Sequence, residues 1–371
     1  MLLLAGLIVL VAALFPYLIY LCGIFFGKKS SVSPVPATYP PISIVMSAYN
    51  EERIIEDRIE NIRASRYPKD SIEIVLIDDC SSDGTLARAR SSLERSGIQF
   101  QIIANTERMG TNRSFNNGMK NARHTVVVIT GADVFFEPDA LNLAIDRLMS
   151  GPDVAAVTGE LLPMMNANST TKLEHAYRSV YGSMCDWESA VDSTYNFNGG
   201  LVALRTDMVR RINDKRGADD ANTAFEAIRK GYRALYERRA IVYEDIPESF
   251  RVQYRQKIRR ATRIIEATLS NLDLLKNDRP FSRFFYPLRI FMYLCSPTLF
   301  FVSLVLLAAG IFFVSPVLLA GIVILLLLLS LIWKNNLFIA FTVNQFYLVR
   351  GLLNLGKDMR VWESSSKKGD T

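Results

Sequence analysis

The sequence predicts an α/β fold: a mostly parallel sheet covered by helices, with transmembrane helices at both ends of the chain. Three observations carry this expectation. Between residues 42 and 129, β-branched apolar runs alternate with helical patterns, as in a parallel sheet. Two acid clusters, Asp78-Asp79 and Asp133, each follow such a run directly, and strand ends are where open α/β sheets bind ligands. The chain also carries long uncharged apolar stretches near both ends.

The first stretch, Leu2 to Phe26, has no ionisable side chain other than Tyr17, Tyr20 and Cys22. About 20 apolar residues cross a bilayer core, whereas a signal peptide has an apolar core of about 7–15 residues and a small-residue cleavage site. A retained anchor over residues 1–27 is therefore expected. Residues 28–41 follow as a stiff Pro-rich linker with the run SVSPVPATYPP. Within the domain that follows, residues 42–275, strands are expected at Ile42–Met46, Ile72–Ile77, Phe100–Ile103 and Thr125–Ile129. The helices between them are expected at about Glu51–Ser65, Thr85–Ser96 and Ser114–Asn121.

Residues 276–371 read as a membrane region. Ile290 to Trp333 carries no Asp, Glu, Lys, Arg or His, too long for one span and suited to two, hinged at Ser315-Pro316. Leu337 to Val349 is a shorter apolar run and reads as an interfacial or re-entrant helix. Lys28 and Lys29 follow the first span, and Lys334, Arg350, Lys357, Arg360, Lys367 and Lys368 follow the hairpin. By the positive-inside rule, the domain and the basic tail both face the cytoplasm of a multi-pass protein in the cell membrane.

Composition excludes several functions. The net charge of +6 is modest and its basic excess lies near the membrane segments, so membrane lipids or phosphates explain it and nucleic acid does not. Cys22, Cys80, Cys185 and Cys295 lack metal spacing, and only His124 and His175 are present, which excludes a zinc site and suits a reduced cytosolic domain.

The motifs narrow the function. SIVMSAYNEE at Ser43–Glu52, followed by EIVLIDDCSSDGT at Glu73–Thr85, resembles the donor-binding half of membrane-bound family 2 glycosyltransferases of the cellulose synthase-like and exopolysaccharide group, which have the GT-A fold. The resemblance implies a nucleoside diphosphate sugar donor, with Asp79 holding its base or ribose and Ser47, Tyr49 and Glu51 lining the base pocket. Asp83 reads as a helix-capping residue and Asp78 as a donor-site or turn residue. In NTERMGTNRSFNNG, Arg108, Gly110 and Asn116 match the family, while Thr111 replaces its Lys and Arg113 stands as a substitute cation.

VVVITGADVFFEPDAL resembles the family's metal motif, but Gly131 stands where its first acid is expected. Asp133 remains as donor-site residue and ligand of Mg²⁺ or Mn²⁺, because a hard cation is held by one or two carboxylates together with substrate phosphate oxygens. GELLPM, DWES, NGGLVALR and GADDANTAFEAIRKGYRALYE carry the resemblance into the acceptor half, where Asp220 matches the catalytic base. An inverting transfer needs one carboxylate to take the acceptor hydroxyl's proton. The alternative is that Asp219 or Asp220 caps the following helix.

Arg251, Arg255, Lys257, Arg259, Arg260 and Arg263 form a basic knot with no acid among them. Gln256, Arg259 and Arg260 occupy the family's Gln-x-x-Arg-Trp position, which implies leaving-group and acceptor contacts, with Arg260 in place of the Trp typical of processive synthases. Arg251 and Arg263 read as a solvated basic face. The expectation is an inverting transfer to a lipid-linked or polysaccharide acceptor at the cytoplasmic membrane face. A processive synthase and a non-catalytic scaffold are the alternatives.

Overall fold

The computed structural model describes residues 1–30, 38–164, 169–213, 217–245, 249–332 and 337–357. The tail lysines, Lys334, Arg360 and most of the Pro-rich linker therefore lie outside the described residues. Eight strands are present: β1 (Ile42–Ala48), β2 (Ile72–Asp78), β3 (Gln99–Ala104), β4 (Val126–Gly131), β5 (Val134–Phe136), β6 (Val154–Pro163), β7 (Val202–Arg205) and β8 (Arg233–Glu244). They form one sheet in the order β3-β2-β1-β4-β7-β6-β8-β5.

β1 pairs parallel with β2 and β4, and β2 pairs parallel with β3. The other half is mixed. β7 runs antiparallel to β4 and β6, β5 runs antiparallel to β8, and only β6 with β8 is parallel. The expected mostly parallel sheet is present, with β7 and β5 as its antiparallel strands. Period-2 alternation sends Ile44 and Met46 into one apolar cluster and Val45 into the other, so both faces of β1 are covered and its sequence is apolar throughout.

Helices α2 (Ile55–Arg63), α3 (Thr85–Ser96) and α4 (Thr111–Asn121) occupy the crossovers of the parallel half. α2 starts later than Glu51 because Asn50 turns the chain in the left-handed region, at φ 55°, and the Glu51 N–H is used on Thr85 Oγ1 at 2.7 Å. α4 starts earlier than Ser114 because Gly110, at φ 79°, permits the turn. Then follow α5 (Ala140–Leu148), α6 (Ser169–Val191), α7 (Asp219–Arg229) and α8 (Phe250–Ser270).

The apolar ends form α1 (Leu2–Phe26), α9 (Tyr286–Leu294), α10 (Ser296–Val314), α11 (Pro316–Ile332) and α12 (Leu337–Leu353). The break between α10 and α11 falls at Ser315, as the sequence predicts. Among the described residues, α1 and α10 are long and apolar enough to cross a membrane. Their outer side chains, such as Ile8 and Val305, are exposed, which suits association with a membrane. The two helices run antiparallel in close contact: a Cβ at Gly6 would meet Leu307 at 2.9 Å and one at Gly310 would meet Leu3 at 2.8 Å. Small residues at such contacts let helix backbones approach.

The base of α1 is bound to the domain by buried polar groups. The Tyr20 hydroxyl donates to Glu188 on α6, and Arg289 on α9 donates to the same carboxylate at 2.6 Å. Arg289 and Glu188 are 0% and 1% exposed, so neither charge is solvated, and each depends on the other. The Arg289 guanidinium also lies over the rings of Tyr20 and Tyr181.

Candidate active site

The strand order reverses at β1, with β2 and β3 to one side and β4 to the other. The crevice at such a switch point is where an open α/β sheet binds ligands. Ser47, in register with Gly131, marks its floor. A cavity of about 450 Å³ opens there. It is lined by Ser47, Tyr49, Glu51, Asp79, Arg108, Asp133, Asp220, Arg259 and Arg260, so residues from six separate stretches of sequence meet in one place. Gln256, on the same helix as Arg259, is not among the lining residues.

The first wall is built from the loops after β1 and β2. Ser82 N donates to Asn50 Oδ1 at 2.8 Å, which clasps one loop to the other. Asp79 is 3% exposed and accepts from Met109 N at 2.9 Å, Gly110 N at 3.1 Å, Asn105 Nδ2 at 2.9 Å and Ser114 Oγ at 3.2 Å. Burial acts to raise its pKa, but these donors, with Arg108, hold it below the usual carboxylate range. Asp79 is thus a fixed anion. Arg108 reaches it at 3.3 Å and lies over the Tyr49 ring at 3.2 Å. Arg113 does not take the place of the missing Lys: it sits on the exposed face of α4, and Thr111 lines the cavity in its stead.

Asp83 accepts from Thr85 N at 3.0 Å at the start of α3, as a capping residue would. Asp78 accepts from Ser81 N at 3.2 Å and forms the turn, while its neighbour Asp79 faces the cavity.

Asp133 differs from Asp79. Burial, and next the charge of Glu244, push its pKa up, against Arg260 and Arg58, which pull it down. A Cβ at residue 131 would meet Asp133 Oδ1 at 2.6 Å, so the carboxylate already fills the space that a first acid would occupy. Arg58, fully buried, donates to Thr130 Oγ1 at 3.0 Å and to Gly131 O at 3.4 Å and lies over Phe136. Burial lowers its own pKa to about 9, and it braces the strand end that presents Asp133.

Asp220 lies in the first turn of α7, and Ala218 holds the N-cap position with extended backbone. Asp220 is thus a first-turn residue lining the cavity and not the cap. Arg263, expected on a solvated face, is instead turned inward: it donates to Gly217 O at 2.8 Å and to Asn112 Oδ1 at 3.2 Å. Gly217 has φ +86°, and a Cβ there would meet Ala267 at 2.7 Å, so the loop that delivers Asp220 is pressed against α8 and tied to it. Arg251 is exposed, as expected.

The second wall contains residues that the sequence did not single out. Glu244, at the end of β8, accepts from Arg260 at 2.7 Å and 2.9 Å and from Arg178 at 2.5 Å. Burial opposes its ionisation, yet the two guanidinium groups hold it far below the usual carboxylate range. Glu174 pairs with Arg178 at 3.0 Å and with Lys257, and against burial its pKa falls to about 2. An acid following a strand is a signal in the YED run at 243–245, but nothing local marks Glu174 or Arg178. Tyr181, Asn196 and Tyr293 complete this wall. Asn196 lies two residues before the NGGLVALR motif.

Comparison with known proteins agrees with this architecture. Residues 43–197 match Glycosyl transferase family 2, and residues 126–339 match Glycosyl transferase family group 2. The poly-beta-1,6-N-acetyl-D-glucosamine synthase of Staphylococcus aureus (strain COL) is 25% identical over 274 residues, which cover 72% of this chain and 64% of that protein. A probable glycosyltransferase, YdaM of Bacillus subtilis (strain 168), is 26% identical over 230 residues, 59% of this chain and 54% of that protein. The chain therefore matches less than two thirds of the length of these relatives. Among solved structures, the mannosyltransferase PcManGT from Pyrobaculum calidifontis, in complex with GDP-Man and Mn²⁺, superposes with a TM-score of 0.81 at 24% identity, covering 97% of this chain and 100% of that one. This likeness shows the fold. Since one of the two family matches spans more than half of the chain, the chain belongs to Glycosyl transferase family group 2.

Proposed function

We propose that the chain is an inverting glycosyltransferase that moves a sugar from a nucleoside diphosphate donor to a lipid-linked or polysaccharide acceptor. One observation carries the reading: a fixed anion, Asp79, a second carboxylate, Asp133, and a first-turn acid, Asp220, share one cavity with Arg259 and Arg260. Asp79, with Ser47, Tyr49, Glu51 and Arg108, binds the base and ribose. Asp220 takes the proton of the acceptor hydroxyl as its oxygen attacks the anomeric carbon and the bond to the diphosphate oxygen breaks. Arg259 stabilises the charge that develops on the leaving diphosphate. Arg260 contributes from its pair with Glu244, and Gln256 acts from outside the cavity lining.

The residues fit a hard divalent cation. Asp133 is a carboxylate whose raised pKa reports an anion that its neighbours do not fully compensate. Among the described residues no three metal-ligating side chains cluster, so Asp133 would hold Mg²⁺ or Mn²⁺ together with donor phosphate oxygens. When bound, the ion neutralises charge on the diphosphate. The relative solved with Mn²⁺ supports this use.

The membrane arrangement belongs to the same proposal. Residues 1–27 anchor the chain, residues 28–41 link to a cytosolic domain at 42–275, and the region from 276 onward returns to the membrane with its basic tail inside. A processive synthase is the second reading, favoured by the relative named as a poly-N-acetylglucosamine synthase and opposed by Arg260 in place of Trp.

The test is to incubate membranes carrying the protein with labelled nucleotide sugars and to sort the label into lipid, polymer and free sugar. Transfer into lipid or polymer, abolished by Asp220→Asn, is the expected result. No transfer from any donor would overturn the reading in favour of a scaffold.

A further inference from the structure

Helix α4 is bonded to both of the acids on which the proposed reaction depends. Around its start, Met109 N, Gly110 N and Ser114 Oγ all donate to Asp79. The same turn is tied to the residues around Asp220. Asn112 is 9% exposed, and both ends of its amide are used: Nδ2 donates to Asn213 O at 2.9 Å, and Oδ1 accepts from Arg263 Nη2 at 3.2 Å. One partner is a carbonyl and the other a guanidinium, so the amide has a single orientation.

Each partner of Asn112 leads on to α7. Arg263 donates to Gly217 O at 2.8 Å, and its own carbonyl accepts from Ala218 N at 3.3 Å, which fixes the two residues before Asp219. Asn213 O accepts a second bond, from Asn222 Nδ2 at 3.3 Å, two residues after Asp220. Asp220 is therefore held on both sides by groups that trace back to Asn112. About one turn further along α4, Asn116 clamps Ile212, donating to its carbonyl and accepting from its N–H, each at 2.9 Å. Asn116 is 8% exposed and Ile212 1%, so breaking this clamp would leave buried polar groups unpaired.

Neither asparagine is among the residues lining the cavity. Their bonds fall between the two acids instead. The path runs from Asp79 to Gly110 N, along one turn of α4 to Asn112, through Arg263 to Gly217, and Asp220 stands three residues beyond. Proton abstraction is sensitive to such a path, because a base must lie about 2.6–3.2 Å from the hydroxyl and a misplacement of about 1 Å costs about 10²-fold. A planar amide suits the task. It donates and accepts at once without charge, whereas an aspartate at residue 112 would set a carboxylate against the Asn213 carbonyl.

We propose that Asn112, backed by Asn116, is a positioning residue that sets the base Asp220 at a fixed distance from the nucleotide-binding Asp79. This rests on the glycosyl-transfer reading above, in which those two acids serve one reaction.

The test uses membranes carrying the full chain, with labelled UDP-glucose, UDP-N-acetylglucosamine and GDP-mannose as donors and with UDP and GDP as nucleotide probes. Asn112→Leu should lower turnover at saturating donor by about 10²-fold, with donor KM and nucleotide affinity changed less than about twofold, because the bonds to Asp79 do not involve this side chain. In the Asp220→Asn background the same change should cost less than about threefold, since no base remains to be placed. Should Asn112→Leu fail to fold, Asn112→Ser, too short to span both partners, replaces it. A loss of about tenfold is then expected, again nearly silent beside Asp220→Asn. Unchanged turnover, equal losses in the two backgrounds, or a loss carried by donor KM alone would each overturn the positioning role while leaving the transfer reading intact. A wild type that transfers no sugar from any of these donors, or full turnover in Asp220→Asn, would instead overturn the reading itself, and the positioning role with it.

Discussion

The two walls of the cavity are built in different ways. On the first wall, the partners of Asp79 lie 26 to 35 residues away, all within the crossover that follows β3. On the other wall Tyr181 reaches Tyr293 across 112 residues, and behind it Tyr20 reaches Glu188 across 168 and Arg289 reaches Glu188 across 101. A wall made from consecutive strand ends carries its chemistry in short motifs. A wall made from helices that meet only after the chain has folded does not, and its buried charges depend on partners that the fold alone brings into contact.

The largest effect that bears on this contrast is catalytic. Asp220→Asn keeps shape and hydrogen bonding but removes the proton acceptor, so turnover should fall by about 10²–10⁴-fold with donor affinity almost unchanged. Steady-state kinetics with a donor titration checks both halves of the statement. Wild-type turnover in this variant would remove Asp220 from the chemistry.

The second prediction compares the Arg289–Glu188 pair behind the second wall with the Arg108–Asp79 pair of the first. Arg289→Met leaves Glu188 charged and buried and should cost about 3–5 kcal/mol of stability in a denaturant melt in detergent. Arg108→Met leaves Asp79 with four other donors and should cost less than about 1 kcal/mol while weakening donor binding. Equal costs would erase the distinction between the walls.

The third concerns pH. Burial raises the Glu160 carboxyl from 4.5 to about 7, against the pull of Arg238. The native state therefore keeps a proton that the unfolded chain releases near 4.5. Its contribution to stability, about 3 kcal/mol, is present below that pH and is lost as pH rises from about 4.5 to about 7. Melts between pH 5 and 8 should show this slope in the wild type and a flatter one in Glu160→Gln.

The smallest effect concerns the metal. If Asp133 shares a cation with the donor diphosphate, chelation should weaken nucleotide sugar binding about tenfold, and Asp133→Ala should lose the same factor in Mg²⁺ and little more in chelator. Isothermal titration of donor with and without the ion decides this. Equal wild-type affinity in both would remove the metal from the reading.

Much of the first wall was legible because its physics is local. The run at Ile72–Asp78 is a strand buried on both faces, the acids after it fall at its end, and SSDG builds the turn. The apolar helices were legible for the same reason, since length and lack of charge decide them. The antiparallel strands β5 and β7 were not legible, because strand direction there depends on connections that periodicity does not encode. Two readings needed correction. Arg263 faces inward and not toward solvent, because the Gly217 carbonyl and Asn112 come within its reach. Arg113 points away from the cavity, because its place on α4 puts it on the outer face.

The sequence by itself determined that strands and helices alternate, where the chain turns apolar enough for a membrane, and which acids stand at strand ends, since all three follow from neighbours within a few residues. Only the tertiary structure decided that Asp220 joins Asp79 and Asp133 in one cavity and that Glu244 is held by two arginines. Those pairings set burial and charge compensation between residues far apart in the chain, and a buried group's partner, unlike its helix or strand, is chosen by the packing of the whole fold.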